Sequence, residues 1–240
     1  MHNHPPIGQV EGKKPQVESM FDAIAPRYDF LNRLLSLGID QYWRKQAVRL
    51  LQDEHPRRIL DVATGTADLA IQALDLEPEK VVGIDISEEM LRFGREKLAR
   101  LGLDDRIVLQ RGDAERLPFS DRQFDAVLVA FGVRNFENLQ RGLREIRRVL
   151  KPGGSIVVLE FSRPRAFPIK QLYRLYTRYV LPRVGEAVSR DSGAYAYLPA
   201  SVEAFPDGPA FLAELEAAGY HDLHARPLTF GIVSLYKGRV

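Results

Sequence analysis

Three acidic side chains lie at or just after the ends of β-like runs in the first half of the chain, and the first of them precedes a turn suited to ligand binding. Asp61 lies in ILDVATGTADLA, where an apolar run is followed by small residues and then by a helix-like segment. Gly65 and Thr66 in this segment let a polar ligand approach backbone amides at a helix N-terminus. A glycine turn after a strand is also common without a ligand, so this segment alone leaves both interpretations open.

Asp85 and Asp113 complete the set. Asp85, followed by Ile86, ends the second run, where a carboxylate can accept hydrogen bonds from both ribose hydroxyls of a nucleoside; a helix-capping aspartate is the alternative. Asp113 lies in GDAERLPF after the third run, where it can meet the amino group of adenine while the amide of Ala114 contacts the ring. Because open α/β sheets bind ligands at the carboxyl ends of their strands, the three acids predict a nucleoside cofactor.

The turn after the first run separates two cofactor classes. A dinucleotide site needs G-x-G-x-x-G/A, whereas Ala63, Gly65 and Ala67 supply one glycine and no cradle for a pyrophosphate. The sequence therefore favours S-adenosylmethionine over NAD.

The elements that position these residues alternate along the chain. Short runs rich in β-branched residues cover 58–62, 80–86, 106–110, 124–130 and 155–161, and the fourth, FDAVLVAF, is typical of a strand buried on both faces. Between them, Ser87 and Gly102 bracket a predicted helix as N-cap and terminator, and 138–150 is a second helix stopped by Pro152, Gly153 and Gly154. This alternation predicts an α/β fold with a doubly wound, mostly parallel sheet.

The two ends of the chain depart from this alternation. Residues 1–16 are polar and predicted to be flexible, and 17–240 are predicted to form one domain. Helices at 17–25 and 41–53 form an N-terminal lid (17–53), and 162–206 is an insertion that covers the substrate, before a helix at 208–218. The runs 220–226 and 229–237, separated by Pro227 and Leu228, predict a hairpin that adds an antiparallel edge and completes a seven-stranded sheet.

Composition excludes several classes of protein. The 240 residues carry 34 basic and 32 acidic side chains, a net charge of +2, so no strong field indicates nucleic acid as a partner. There is no cysteine, which excludes disulfides and thiolate chemistry and fits a cytoplasmic location. No secretion signal or spanning apolar run is present, so any membrane contact is expected to be peripheral.

Two long segments resemble signature regions of a known family. YDFLNRLLSLGIDQYWR (28–44) and RVLKPGGSIVVLEFS (148–162) are similar to those of the bacterial quinone C-methyltransferases of menaquinone and ubiquinone synthesis. FGVRN (131–135), LPRVG (181–185) and YAYLPASVEAFP (195–206) match further family segments, so the likeness covers nearly everything from Val17 onward. Ala130 and Asp40 differ from the serine and histidine that many members have, and both are left out of the predicted site.

The resemblance implies the Rossmann-like fold of class I methyltransferases and methyl transfer from S-adenosylmethionine to a ring carbon of demethylmenaquinol. It carries over Thr66, Asp85, Asp113 and Ala114 as cofactor residues. Arg134 and Asn135, just beyond the fourth strand, are predicted to orient the quinol oxygen or a water, and Tyr28 to close over cofactor and ring. A surface pair with Glu137 remains the alternative for Arg134, and plain packing for Tyr28.

Other functional features are left open. The insertion interleaves arginines with aromatic residues, which is typical of a solvated face or of a surface that contacts anionic lipid at the inner face of the cell membrane; the arginines are Arg163, Arg165, Arg174, Arg178 and Arg183. A prenylated quinol is the expected partner, a homodimer is left open, and no metal is expected. The alternatives are a methyltransferase for another small acceptor (O- or N-methylation) and a noncatalytic cofactor-binding subunit; a nucleic-acid enzyme is disfavoured.

Overall fold

A seven-stranded sheet forms the centre of the protein. The computed structural model describes residues 12–180 and 193–240. The strand order is β3-β2-β1-β4-β5-β7-β6, for β1 Arg58–Val62, β2 Lys80–Asp85, β3 Ile107–Arg111, β4 Phe124–Ala130, β5 Leu150–Phe161, β6 His221–Leu228 and β7 Val233–Arg239. Strands β1 to β5 pair in parallel, and β7 lies antiparallel between β5 and the outer strand β6. The predicted doubly wound, mostly parallel sheet is confirmed.

Helices cover both faces of this sheet. They are α1 Lys13–Ile24, α2 Tyr28–Ser36, α3 Ile39–Arg49, α4 Asp68–Gln72, α5 Glu88–Leu101, α6 Leu139–Val149, α7 Ile169–Leu175, α8 Gly193–Ala204 and α9 Pro209–Ala217. A π-helical segment, Tyr176–Val180, follows α7. The side chain of Ser87 caps α5 by accepting from the Met90 N–H at 3.1 Å, and Gly102 ends it with φ 65°, as predicted.

Some predicted boundaries are wrong. Strand β5 begins at Leu150 rather than at the predicted residue 155, and Leu150 pairs with Phe124 of β4, so the chain is already in the sheet before the Pro-Gly-Gly sequence. The predicted hairpin turn at Pro227 and Leu228 belongs instead to β6, and the chain reverses through the 3₁₀ turn Thr229–Gly231.

The N-terminal boundary also lies earlier than predicted. Helix α1 begins at Lys13, inside the segment expected to be flexible, so that prediction is wrong for Lys13 to Gln16. Residues 1–11 of the segment lie outside the described residues. The helix start is held by a distant carboxylate, since Glu137 Oε1 accepts from the N–H groups of Gly12 at 3.0 Å and Lys13 at 3.1 Å.

Among the described residues, the core has two large apolar layers, one on each face of the sheet, and a small third cluster around Leu31. Alternate residues of each central strand point to opposite layers, so that Ile59 belongs to the same layer as Trp43 and Leu128, whereas its neighbour Leu60 belongs to the layer of Leu143. In the part of the chain that the structure describes, no helix is long and apolar enough to cross a membrane.

Candidate active site

Asp85 and the turn after β1 meet at the carboxyl edge of the sheet. Asp85 ends β2, and its carboxylate accepts from the Gly65 N–H at 2.8 Å and from the Ser87 N–H at 2.9 Å. Burial raises the pKa of Asp85 to about 6, although both N–H groups lower it. Because Ser87 itself caps α5, Asp85 is not needed as the helix cap.

Asp113 lies across the same edge and contacts the N-terminal helix. Its Oδ2 accepts from Lys14 Nζ of α1 at 2.7 Å, and its Oδ1 accepts from the Glu115 N–H at 2.9 Å. Ala114 is buried beside it.

A first cavity joins these residues under α1. Its walls combine the carboxylates of Asp85 and Asp113 with apolar side chains, including Phe21 of α1 and Met90 of α5. Of the predicted site residues, the structure brings seven to this cavity: Tyr28, Gly65, Asp85, Ile86, Asp113, Ala114 and Asn135. Ala130, which the sequence left out, also lines it.

Asp61 and Thr66 lie behind this cavity rather than in its lining. Asp61 is buried, its Oδ2 accepts from Thr64 Oγ1 at 2.6 Å, and its Oδ1 has no hydrogen-bond partner in the described part of the chain. Burial raises the pKa of Asp61 to about 7. The hydroxyl of Thr66 is buried and donates to Asp29. The structure therefore does not place either side chain in direct contact with the cavity.

A second, larger cavity of about 440 Å³ adjoins the first. Its walls are mostly apolar and come from α1, α2, α3, α7, the π-helical segment, α8 and the turn before β7. This size lies in the range of small-molecule sites. Arg134 and Tyr28 line it, whereas Asn135 lines the first cavity only.

Arg134 is a buried cation held by a buried carboxylate. Its side chain is 7% exposed, and Nη1 donates at 2.9 Å to Oε1 of Glu160, whose side chain is 0% exposed. The same nitrogen donates to the Phe131 carbonyl, and Nε donates to Ser201 Oγ at 3.3 Å. The predicted alternative, a surface pair with Glu137, is wrong, since Glu137 instead accepts from the start of α1.

Tyr28 and Asn135 lie close to Arg134. Burial raises the pKa of Tyr28, so its phenol stays protonated near neutral pH. Asn135 Oδ1 accepts from the Tyr197 hydroxyl at 2.9 Å, and burial raises the pKa of that hydroxyl to about 12. Helix α8 of the insertion thus supplies one hydrogen-bond partner to each residue, Ser201 to Arg134 and Tyr197 to Asn135.

Among the described residues, three aromatic side chains line both cavities. Phe21, Tyr28 and Phe131 line both of them. A ligand in the first cavity and one in the second would therefore meet at these rings, which suits transfer of a group from one to the other.

Sequence reasoning missed several of these residues. Glu160 had a signal, because a single charge within the apolar run IVVLEF needs a buried partner. Lys14, Phe21 and the buried pair of Asp40 with Arg44 gave no comparable signal, since their roles depend on contacts with distant segments.

Comparison with known proteins decides the class of this site. A family model described as the ubiE/COQ5 methyltransferase family matches residues 9–239. The chain belongs to the ubiE/COQ5 methyltransferase family. Its predicted resemblance to quinone C-methyltransferases is confirmed, and the chain is a methyltransferase.

Curated relatives of this chain have names that agree with its membership of the family. A demethylmenaquinone methyltransferase of Bacteroides fragilis is 49% identical over 228 residues, covering 94% of this chain and 93% of the relative. A ubiquinone/menaquinone biosynthesis C-methyltransferase UbiE of Syntrophotalea carbinolica is 50% identical over 220 residues, covering 91% and 92%.

A solved structure shares the fold. It is a SAM-dependent methyltransferase of Thermotoga maritima, described as a possible histamine N-methyltransferase, with a TM-score of 0.65 and 18% identity. It covers 92% of this chain and 98% of its own. At this sequence identity, the structural similarity supports the fold of this chain and says nothing about its substrate.

Proposed function

We propose that this enzyme transfers a methyl group from S-adenosylmethionine to a ring carbon of demethylmenaquinol, with the benzoquinol of ubiquinone synthesis as a second acceptor. One observation carries the proposal. A cavity that holds the carboxylates of Asp85 and Asp113 at the carboxyl edge of the sheet adjoins a larger, mostly apolar cavity, and a buried cation, Arg134, lines the larger one.

The lining of the first cavity has the side-chain chemistry that a nucleoside cofactor needs. Asp85 offers carboxylate oxygens to ribose hydroxyls, and Ile86, Met90 and Ala114 provide apolar contacts for a base beside Asp113. S-adenosylmethionine, when bound, supplies an electrophilic methyl group on a sulfonium.

The second cavity fits a hydrophobic ring with a polar substituent. Its apolar walls exclude water from the ring, and Arg134 provides N–H donors for a ring oxygen. A donor next to this oxygen stabilises the negative charge that makes the adjacent ring carbon nucleophilic. Arg134 thereby orients the acceptor and lowers the cost of ionising its hydroxyl.

The neighbouring residues keep this geometry fixed. Glu160 prevents Arg134 from turning away, and Tyr197 holds Asn135 at the boundary of the cavities. The neutral phenol of Tyr28 closes the space between cofactor and ring. Alignment of this kind supplies a large part of the rate enhancement in transfer reactions.

Methyl transfer from labelled S-adenosylmethionine tests the function. The acceptors are reduced demethylmenaquinone, a reduced demethylated ubiquinone precursor and soluble phenols and amines, with Asp85→Ala and Arg134→Ala beside the wild type. We expect label in the quinols, lost in both variants. Cofactor binding with transfer only to the soluble acceptors would indicate O- or N-methylation instead.

We also propose that the mouth of the second cavity rests on the membrane surface at the cytoplasmic face, so that the prenyl tail stays in the bilayer. Of the described residues, four line the cavity and are also exposed: Leu37, Ile39, Leu172 and Phe230. Lys170 and Arg174 of α7 are exposed beside them. Arg163 and Arg165 instead pair with the buried Asp207, and Arg183 lies outside the described residues.

Vesicle co-sedimentation tests this placement. Leu37→Ser with Phe230→Ser should weaken binding to neutral and anionic vesicles, because both side chains lose apolar contact. Lys170→Gln with Arg174→Gln should weaken binding to anionic vesicles at low salt only. Leu101→Ser, at an exposed leucine in the last turn of α5, is the control. A wild type that stays in the supernatant with both vesicles would contradict the proposal.

A further inference from the structure

A second buried ion pair lies in the wall of the acceptor cavity. Arg44 Nη1 donates to Asp40 Oδ2 at 2.6 Å, and the two side chains are 6% and 4% exposed. Ser36 Oγ donates to the other carboxylate oxygen of Asp40 at 2.8 Å. All three residues line the cavity of about 440 Å³.

Charge is scarce in this wall. Among the described residues that line the cavity, the charged side chains are Asp40, Arg44 and Arg134. Burying an ion pair costs desolvation energy that the attraction between the charges barely offsets, so stability alone is a poor reason for this pair. Because the pair lies in the wall of the proposed acceptor cavity, it could bind a polar group of the ligand.

Arg44 and Arg134 lie against the same pair of aromatic rings. The Arg44 guanidinium lies 5.5 Å from the ring centre of Phe131, and that of Arg134 lies 5.4 Å from the ring centre of Phe161. These two ring centres are 4.6 Å apart. Burial raises the pKa of Tyr28, and both guanidinium groups act on that phenol in the opposite direction. The cavity therefore has two separate cationic donors near its junction with the first cavity.

Each cation has its own carboxylate partner. Glu160 pairs with Arg134, and Asp40 pairs with Arg44. The two arginines are therefore held at two different places in the cavity wall. Arginine has five N–H donors, and in the described part of the chain the bond from Arg44 to Asp40 uses one nitrogen. Further donors are available for a ligand oxygen.

We propose that Arg44, positioned by Asp40, selects acceptors that carry a second ring hydroxyl. This inference rests on the proposed function, in which Arg134 holds the oxygen next to the methylated carbon. A quinol has another hydroxyl on the opposite side of its ring. Arg44 donates to that oxygen and Asp40 accepts its proton in a hydrogen bond, which the oxidised quinone cannot offer because it has no hydroxyl.

The test compares two acceptors that differ by one oxygen. They are the reduced demethylated prenyl naphthoquinol and the same prenylated ring with only the hydroxyl next to the methylated carbon. The readout is the ratio of their kcat/KM values, in which the intrinsic reactivity of each ring cancels between variants. Arg44→Gln and Asp40→Asn should lower the ratio by about 10-fold to 100-fold, the range for a lost hydrogen bond to a charged group.

Matched variants separate this role from a structural one. Lys45→Gln, at the exposed next residue of α3, should keep the wild-type ratio. If Arg44→Gln or Asp40→Asn fails to fold, Ser36→Ala, which removes only the hydroxyl that positions Asp40, should lower the ratio in the same direction. Equal losses on both acceptors would overturn the proposal, whereas a wild type that methylates neither would overturn the proposed function itself.

Discussion

At the scale of single residues, the site depends on charges held out of water. Arg134 and Glu160 form a pair in which neither side chain is more than 7% exposed, and burial raises the pKa of Glu160 while Arg134 lowers it. Removing one partner of such a pair leaves the other charge buried and uncompensated. The ion pair with Glu160 therefore fixes the position of the Arg134 guanidinium in the cavity wall.

A double-substitution cycle separates the stability of this pair from its function. Glu160→Leu and Arg134→Leu should each lower the free energy of unfolding by about 3 to 5 kcal/mol, because one buried charge is left alone. The double variant should recover most of this loss and still lack methyl transfer. Urea unfolding and the transfer assay measure the two effects. A double variant that loses as much stability as the two single variants together would contradict the role of the pair.

In the proposed cofactor site, the raised pKa of Asp85 predicts that cofactor binding depends on pH. Its pKa is about 6 in the folded protein, against 3.8 for the ordinary carboxyl group. Between pH 3.8 and about pH 6, the folded protein therefore holds a proton on Asp85 that the unfolded chain has released. Asp85 lowers stability above pH 6, and this cost disappears as the pH falls towards 4. Asp22 adds to the raised pKa through its negative charge.

The ionised carboxylate is the form that accepts two ribose hydroxyls, so affinity for S-adenosylmethionine should fall as the pH falls below about 6. The limiting slope is about tenfold per pH unit for one proton. Asp85→Asn should bind more weakly and lose most of this pH dependence, whereas Asp104→Asn, at an exposed site, should keep the wild-type profile. Titration calorimetry from pH 5 to 8 measures both. If Asp85→Asn kept the pH dependence of the wild-type affinity, a titratable group other than Asp85 would be responsible for it.

At the scale of elements, two loops pack closely beside the cofactor cavity. The turn after β1 has left-handed backbone at Ala63, Gly65 and Ala67, with φ of 56°, 56° and 69°. A Cβ atom on Gly132, after β4, would lie 2.6 Å from the Cβ of Ala63. Glycine at position 132 therefore lets the two loops approach each other.

Gly132→Ala should push these loops apart and weaken cofactor binding by about tenfold, because the added methyl group has no free space. The matched control is Gly102→Ala, where a Cβ meets nothing within 4 Å but φ is 65°. The control should lose about 1 kcal/mol of stability from backbone strain and keep its affinity. Calorimetry and thermal melting measure the pair. Wild-type affinity in Gly132→Ala would show that the loops can adjust.

Local signals explain which elements the sequence predicts. Strands β1 and β4 were predicted with their observed bounds, because short apolar runs end at turn residues. Helix α2 and the early start of α1 were not predicted, since both depend on contacts with distant segments, such as that of Glu137 with Gly12. The turn 229–231 was misplaced because it uses left-handed Thr229 and Phe230 rather than the expected turn residues.

The same distinction holds at the site. Gly65, Asp85 and Asp113 follow strands, so the geometry of the sheet alone predicts that they meet at one edge. Arg134 was predicted, but its partner was not, since Glu160 lies 26 residues further along the chain. Asp40 was set aside as a departure from the family pattern, and only the packing of α3 against β4 and β5 shows that it faces the second cavity.

At the scale of the whole molecule, the proposed cofactor site lies on the sheet, whereas the proposed acceptor site is enclosed by peripheral elements. The first cavity follows the strand ends, whereas the second is formed by helices from the N-terminal region and the insertion. Its volume of about 440 Å³ holds a ring system and the start of a tail, and its mouth lies at Leu37 and Phe230, which are 85% and 75% exposed. If the acceptor is the proposed prenylated quinol, a long prenyl chain has to leave through this mouth.

This geometry predicts how the rate depends on tail length. In a series of quinols with one to four prenyl units, the first unit should raise kcat/KM by about tenfold or more over the unprenylated ring, since burial of each CH₂ group is worth about 0.8 kcal/mol. The gain should end once the tail reaches the mouth, because further units contact detergent or lipid in both states. Assays at a fixed detergent concentration measure the series. Leu31→Ala, inside the cavity, should reduce the gain from the first unit, whereas Leu37→Ser at the mouth should leave it unchanged. A kcat/KM that keeps rising through the fourth unit would require a longer closed channel than this cavity provides.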